Sequence, residues 1–143
     1  MSANPATVIE RLHRAWNARD PESMAACFHT DYQSIHPCHP ERNFRGRKSV
    51  QLSWAAIFES IPDFKAELCR QAVAGDVVWT EWRWQGTHLN GALFEALGVM
   101  IFTIVDDQIT QARVYSETLQ TVGPDWDQVL EEVLACKPEE KSQ

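Results

Sequence analysis

Apolar positions recur every three to four residues as far as Pro62 and every second residue beyond it, and this change of period divides the chain. Thr7 stands where a helix cap belongs, with Glu10 three residues later in the reciprocal capping position. Val8, Leu12, Ala15 and Trp16 then fall on one helical face. Asn17-Ala-Arg-Asp-Pro21 should stop this helix, because Pro21 disfavours helix at Asp20 and suits the first turn of the next. Residues 22–28 read as a short second helix carrying Met24, Cys27 and Phe28, and residues 32–36 as a short strand ended by the Pro37 and Pro40 loop. Gly46 precedes a third helix, in which Val50, Trp54, Ile57, Phe58 and Ile61 repeat at helical spacing before Pro62 ends it.

Residues 64–74, 77–86, 97–105 and 108–118 are four strand candidates, and Gly75-Asp76 and Asp106-Asp107 are turn signals that predict antiparallel hairpins. Gly98-Val-Met-Ile-Phe-Thr-Ile-Val105 barely alternates, the pattern of a central strand covered on both faces. Trp126, Val129, Leu130, Val133 and Leu134 predict a last amphipathic helix, and residues 137–143 a frayed tail. Three helices followed by a curved antiparallel sheet define an α+β plan. With no repeat or linker, residues 1–143 form one domain. Helices can cover one sheet face, and a homodimer is expected to cover the other.

With 44% hydrophobic residues, the chain is long enough to bury a core without disulfide or metal staples. A formal net charge of −7 without a basic face argues against nucleic acid or membrane as a partner. The densest basic stretch, residues 42–48, reads as a solvated turn and helix start. The first residues have neither the basic flank nor the apolar run of a signal peptide, and Cys27, Cys38, Cys69 and Cys136 show no CxxC spacing. Reduced thiols and a cytoplasmic location are expected.

The order of elements and several phrases resemble the NTF2-like superfamily, in particular its SnoaL-like and ketosteroid isomerase-like branch. Trp16-Asn-Ala-Arg-Asp20 resembles the end of that family's first helix, and Phe28-His-Thr-Asp31 followed by His36-Pro37 its next passage. Phe44-Arg-Gly-Arg47 is similar to the entry to its third helix. Gly86-Thr-His88, Ile104-Val-Asp-Asp-Gln-Ile109 and Tyr115-Ser-Glu117 are similar to its strand and turn phrases. The likeness covers about residues 6–119 and implies a cone-shaped fold, with helices packed on a bent sheet around an apolar pocket. It does not imply one activity, since the fold hosts isomerases, dehydratases, cyclases, epoxide hydrolases and non-catalytic binders.

The isomerases use a helix-one Tyr and a protonated Asp on the central strand as an oxyanion hole, with a separate Asp as base. The matching positions here are Leu12, Ile101 and His36. Leu and Ile donate no hydrogen bond, so isomerisation by that route is not expected, and the acidic residue that SnoaL-type cyclases place near Ile101 is missing too. His36, in the base's place, is a natural proton carrier; the competing reading is a loop histidine bonded to a backbone carbonyl. His36, Cys38 and His39 are types that bind zinc, but no second cluster completes a site, and no metal or cofactor is expected. Glu81 and Arg83 share one strand face with Trp79, whereas Thr80, Trp82 and Trp84 share the other. The Glu81–Arg83 pair would either serve a ligand or form a cross-strand charge pair at a rim.

The last-strand match turns Arg113 and Tyr115 towards the pocket, where Arg113 would meet a ligand or form an ion pair with Glu81 or Glu117. His88, in a loop, is expected to be solvated. The pocket wall is expected from Leu12, Trp16, Phe28, Tyr32, Trp54, Phe58 and Trp82, with Arg83, Val99 and Ile101 from the strands. The ligand would be small and largely apolar, and cofactor-free proton transfer, plain binding and protein recruitment all remain open as functions.

Overall fold

In the computed structural model, which describes residues 4–135, helix α1 (Pro5–Ala18) starts earlier than the Thr7–Glu10 pattern implies. Asn4 is the cap, accepting from the Ala6 amide at 3.0 Å, and Pro5, with no amide hydrogen to satisfy, takes the first helical position. Val8, Ile9, Leu12, Ala15 and Trp16 form its buried stripe. Asp20 caps α2 (Pro21–Ala26) through the amide and hydroxyl of Ser23. That helix stops two residues short of the expected end, and Phe28 instead opens strand β1 (Phe28–Ile35). Within β1, Phe28, Tyr32 and Ser34 are buried, and the Phe28 ring packs on Tyr32 with centroids 4.6 Å apart. A short 3-10 turn, Pro40–Arg42, leads into β2 (Phe44–Arg45), which pairs antiparallel with β1 inside the stretch read as a solvated turn. Gly46, at φ +102°, then turns the chain into α3 (Arg47–Ser60).

Strands β3 (Lys65–Ala74), β4 (Val77–Thr87), β5 (Leu93–Val105) and β6 (Gln108–Thr118) follow as a meander. Gly75 and Asp76 close the first hairpin. Asp106 and Asp107, both at positive φ (51° and 62°), close the β5–β6 hairpin in the backbone twist that two-residue hairpins favour. β5 begins four residues before the expected position 97. The sheet order is β2-β1-β6-β5-β4-β3, and one pairing departs from the antiparallel expectation: β1 lies parallel to β6, Ile35 opposite Arg113. The meander leaves β6 with a bare edge, and β1 fills it in the direction in which α1 and α2 deliver the chain.

The fold is therefore α+β, a curved six-stranded mixed sheet with helices on one face. Strands β1 and β2 stand between the second and third helices rather than after them. Asn17 ties α1 to the outer strand β3 with both arms of its amide, Nδ2 donating to Ala66 O at 3.1 Å and Oδ1 accepting from Ala66 N at 2.7 Å. Trp16 stands perpendicular to Trp82 (4.7 Å) and to Trp84 (6.0 Å) in the core beneath. The Nε1 donors of Trp16 and Trp84 are buried there with no hydrogen-bond partner among the described residues.

Helix α4 (Trp126–Ala135) forms where the apolar spacing predicts it, yet buries none of its residues. The tail expected at 137–143 lies outside the described residues. Among the described residues no helix is long and apolar enough to cross a membrane.

Candidate functional site

Between α3 and the inner face of the sheet lies a cavity of about 600 Å³. Its walls follow from the strand alternation: Trp84 from β4, Ala96 and Met100 from β5, and Val114 and Ser116 from β6 all point inward. Helix α3 contributes Val50, Ser53, Trp54, Ile57 and Ser60 along its length. Phe44 borders one side, and Phe64, His88 and Phe94 the other. Among the described residues no carboxylate, lysine or arginine lines it.

The most polar stretch of wall is β1 and the residue after it. Tyr32, Ser34 and His36 alternate with outward-facing neighbours and so share the inner side. Burial pushes the Tyr32 phenol up to about 12, against a hydrogen bond with Ser34 that pulls it down, so it keeps its proton. Ser34, itself buried, places its Oγ 3.0 Å from His36 Nε2. The His36 amide donates to Asn43 Oδ1 at 2.6 Å, which fixes the strand end where Pro37 turns the chain away. The pKa of His36 lies below its ordinary value, first because of burial and then because of Arg42 and His39 nearby. A neutral imidazole bonded to a serine can receive a proton. When Ser34 accepts from Nε2–H, the Nδ1 lone pair is the receiving site, and Ser34 still accepts after Nδ1 is protonated.

Phe28, Tyr32 and Trp54 line the cavity beside His36. Leu12, Trp16 and Trp82 are core residues, at most 2% exposed, that support the wall from behind. Trp82 directs its Nε1–H to Thr80 Oγ1 at 2.6 Å. Phe58 packs on Trp54 and Phe64, both centroid distances 5.6 Å, without reaching the cavity surface.

Six strand residues expected at the site, Glu81, Arg83, Val99, Ile101, Arg113 and Tyr115, lie on the opposite face of the sheet. Glu81 pairs with Arg70 at 3.1 Å, and Arg83 with Glu95. Arg113 donates to the Tyr115 hydroxyl at 3.3 Å rather than to a carboxylate. Val99 lies between Glu81 and Tyr115, and Ile101 between Trp79 and Arg113, all in outward register. A slip of one residue in matching a strand exchanges its faces, and β5 and β6 carry apolar residues on both, so no alternation corrects the slip. The inward residue beside Ile101 is Met100, which likewise cannot donate a hydrogen bond. His88, expected in solvent, is half-buried on the wall, its ring perpendicular to Phe94 at 5.9 Å. His39 bonds Glu117 instead of joining His36 and Cys38. Among the described residues no three His, Cys, Asp or Glu side chains gather as a metal site. Ser34 and Trp84 were legible in principle, since each is two residues along its strand from a residue assigned to the wall.

Helices over one face of a curved sheet, with an apolar cavity between them, place the protein in the ketosteroid isomerase-like, NTF2-like fold class. Three solved structures share this architecture. A protein of Catenulispora acidiphila with a ketosteroid isomerase-like fold, in complex with trimethylamine, is 17% identical with a TM-score of 0.67, over 76% of this chain and 83% of that one. A protein of Jannaschia sp. CCS1 described as a SnoaL-like polyketide cyclase is 19% identical with a TM-score of 0.66, over 94% and 93%. An LEH-like epoxide hydrolase of M. tuberculosis is 17% identical with a TM-score of 0.69, over 79% and 82%. The chain belongs to the SnoaL-like domain family, whose model matches residues 9–112. No curated protein sequence matches it.

Proposed function

We propose that this SnoaL-like domain binds a small, largely apolar molecule between α3 and the sheet, and that His36 moves a proton on it without a cofactor. Isomerisation, dehydration, cyclisation and hydrolysis all fall within that chemistry. The observation that carries the reading is the Ser34–His36 pair at 3.0 Å, set in a wall otherwise built mainly of aromatic and aliphatic side chains. Such a site holds an apolar molecule by burial and a reacting atom by the few polar groups that converge on it. His36 takes the proton, and Ser34 holds the ring that takes it. We further propose that the domain acts as a homodimer joined through the outer sheet face.

The neutral probe 5-nitrobenzisoxazole tests the proton step without knowledge of the natural substrate. A base that removes its ring C–H proton breaks the N–O bond and releases a coloured phenolate. The native protein should accelerate this reaction, and His36→Ala should lose roughly 10²–10⁴-fold of the acceleration while remaining folded. His36→Gln keeps hydrogen bonding but cannot titrate near neutrality, so it should be as slow. Equal rates in all three proteins would refute the catalytic role and leave a domain that only binds.

A further inference from the structure

The cavity has two polar ends. His36 stands at one, beside Phe44 with ring centroids 6.4 Å apart. Gly46, which leads into the N-terminal end of α3, donates to Tyr32 O at 2.7 Å and holds that end of the helix against β1. His88 stands at the other end. The Leu89 amide donates to Ser60 O at 3.1 Å and ties the His88 turn to the C-terminal end of α3. The strand register separates the two imidazoles: Ile35, just before His36, lies level with Arg113 and Ile101, whereas Thr87, just before His88, lies opposite Leu93, eight positions away along β5.

Between the two imidazoles the wall is mainly apolar, with Trp54 and Ile57 from the helix and Trp84, Ala96 and Met100 from the sheet, and Ser53, Ser60 and Ser116 add hydroxyls to it. With no carboxylate, lysine or arginine lining it among the described residues, a charged ligand would lose its water and gain no counter-ion, which strongly disfavours its entry. The aromatic walls instead favour a planar molecule lying along α3.

We propose that the ligand is an elongated, neutral, planar molecule with a hydrogen-bonding oxygen at each end, one received by His36 and Ser34 and the other by His88. This rests on the cavity being the ligand site, as proposed above, and adds His88 as the residue that selects for ligands polar at both ends.

Calorimetric titration with 4,4′-dihydroxybiphenyl, 4-hydroxybiphenyl and biphenyl-4,4′-dicarboxylate tests it. The diphenol should bind about three- to tenfold more tightly than the monophenol, the value of one added hydrogen bond. The dicarboxylate should bind weakest. His88→Leu should abolish the advantage of the diphenol, and His88→Gln, which still hydrogen-bonds, should restore it in part. Equal affinity for the two phenols, tightest binding of the dicarboxylate, or an advantage that survives His88→Leu would each overturn the proposal. Turnover of 5-nitrobenzisoxazole by the native protein together with equal phenol affinities would sink this inference alone. No turnover and no binding of either phenol would sink both readings.

Discussion

At His36, burial, Arg42 and His39 all disfavour the protonated ring, so its pKa lies below the ordinary 6.5. If His36 is the base, the rate on 5-nitrobenzisoxazole should rise with pH, pass half its maximum below 6.5, and level off as the ring becomes fully neutral. The same shift bears on stability. Between the folded pKa and 6.5 the unfolded chain binds more protons than the folded one. The contribution of His36 is therefore complete above 6.5 and is lost as pH falls towards the folded value, and denaturant titrations of the native protein and His36→Gln should diverge over that window. Ser34→Ala removes the bond that orients the ring and should slow the probe reaction by roughly two- to tenfold, the value of one hydrogen bond. At this scale the sequence was informative where chain geometry constrains direction. Pro37 holds His36 extended, so its place at the end of β1 could be read. The facing of Arg113, Tyr115 and Ile101 could not, because family phrases fix a strand's position more firmly than its register.

Among the elements, α1 and β3 meet through Asn17, which belongs to the phrase shared with the family's first helix. Asn17→Ala would remove the acceptor of Ala66 N and leave Ala66 O to His13 Nε2 alone (2.9 Å), and should cost about 1–3 kcal/mol in a denaturant titration. β5 and β6 press together at Gly98, where an added Cβ would lie 2.4 Å from Tyr115 O and 2.5 Å from Ser116 Cα. These are atoms of the adjoining strand that a rotamer change cannot move. Gly98→Ala should therefore lower stability by at least about 1–3 kcal/mol, visible as a reduced Tm. The elements themselves were largely legible, since the change of period at Pro62 and the two aspartates at 106 and 107 are local signals. The short strand β2 and the parallel pairing of β1 with β6 were not. β2 has only two residues, and no local signal encodes a partner so distant in sequence.

Over the whole molecule, the outer sheet face leaves Trp79 half exposed beside partly covered Val99 and Ile101, with Leu97 and Tyr115 also open. The apolar run of β5 that predicted cover on both faces is thus covered on one face by its own chain. A homodimer through this face should show about twice the 16.3 kDa chain mass by light scattering. Trp79→Glu, which places a charge at the centre of the contact, should return it to one chain mass. A native protein that stays monomeric at micromolar concentration would leave the dimer proposal without support.

The parallel junction of β1 and β6 also governs the order in which the molecule can be made. Phe28 pairs with Ile109, about eighty residues later, so the cavity wall that carries Tyr32, Ser34 and His36 has no sheet to join until almost the last strand has been synthesised. During that interval the edge of β1 that faces β6 must wait unpaired, a condition that slows folding and invites association with other chains. A chain stopped at Asp107, lacking only β6 and the residues beyond it, should show no cooperative unfolding transition, although it retains every helix and strand of the site's other walls. Renaturation of the full-length protein from denaturant should become less efficient as concentration rises, because the last partner to arrive is the one on which the first strand depends.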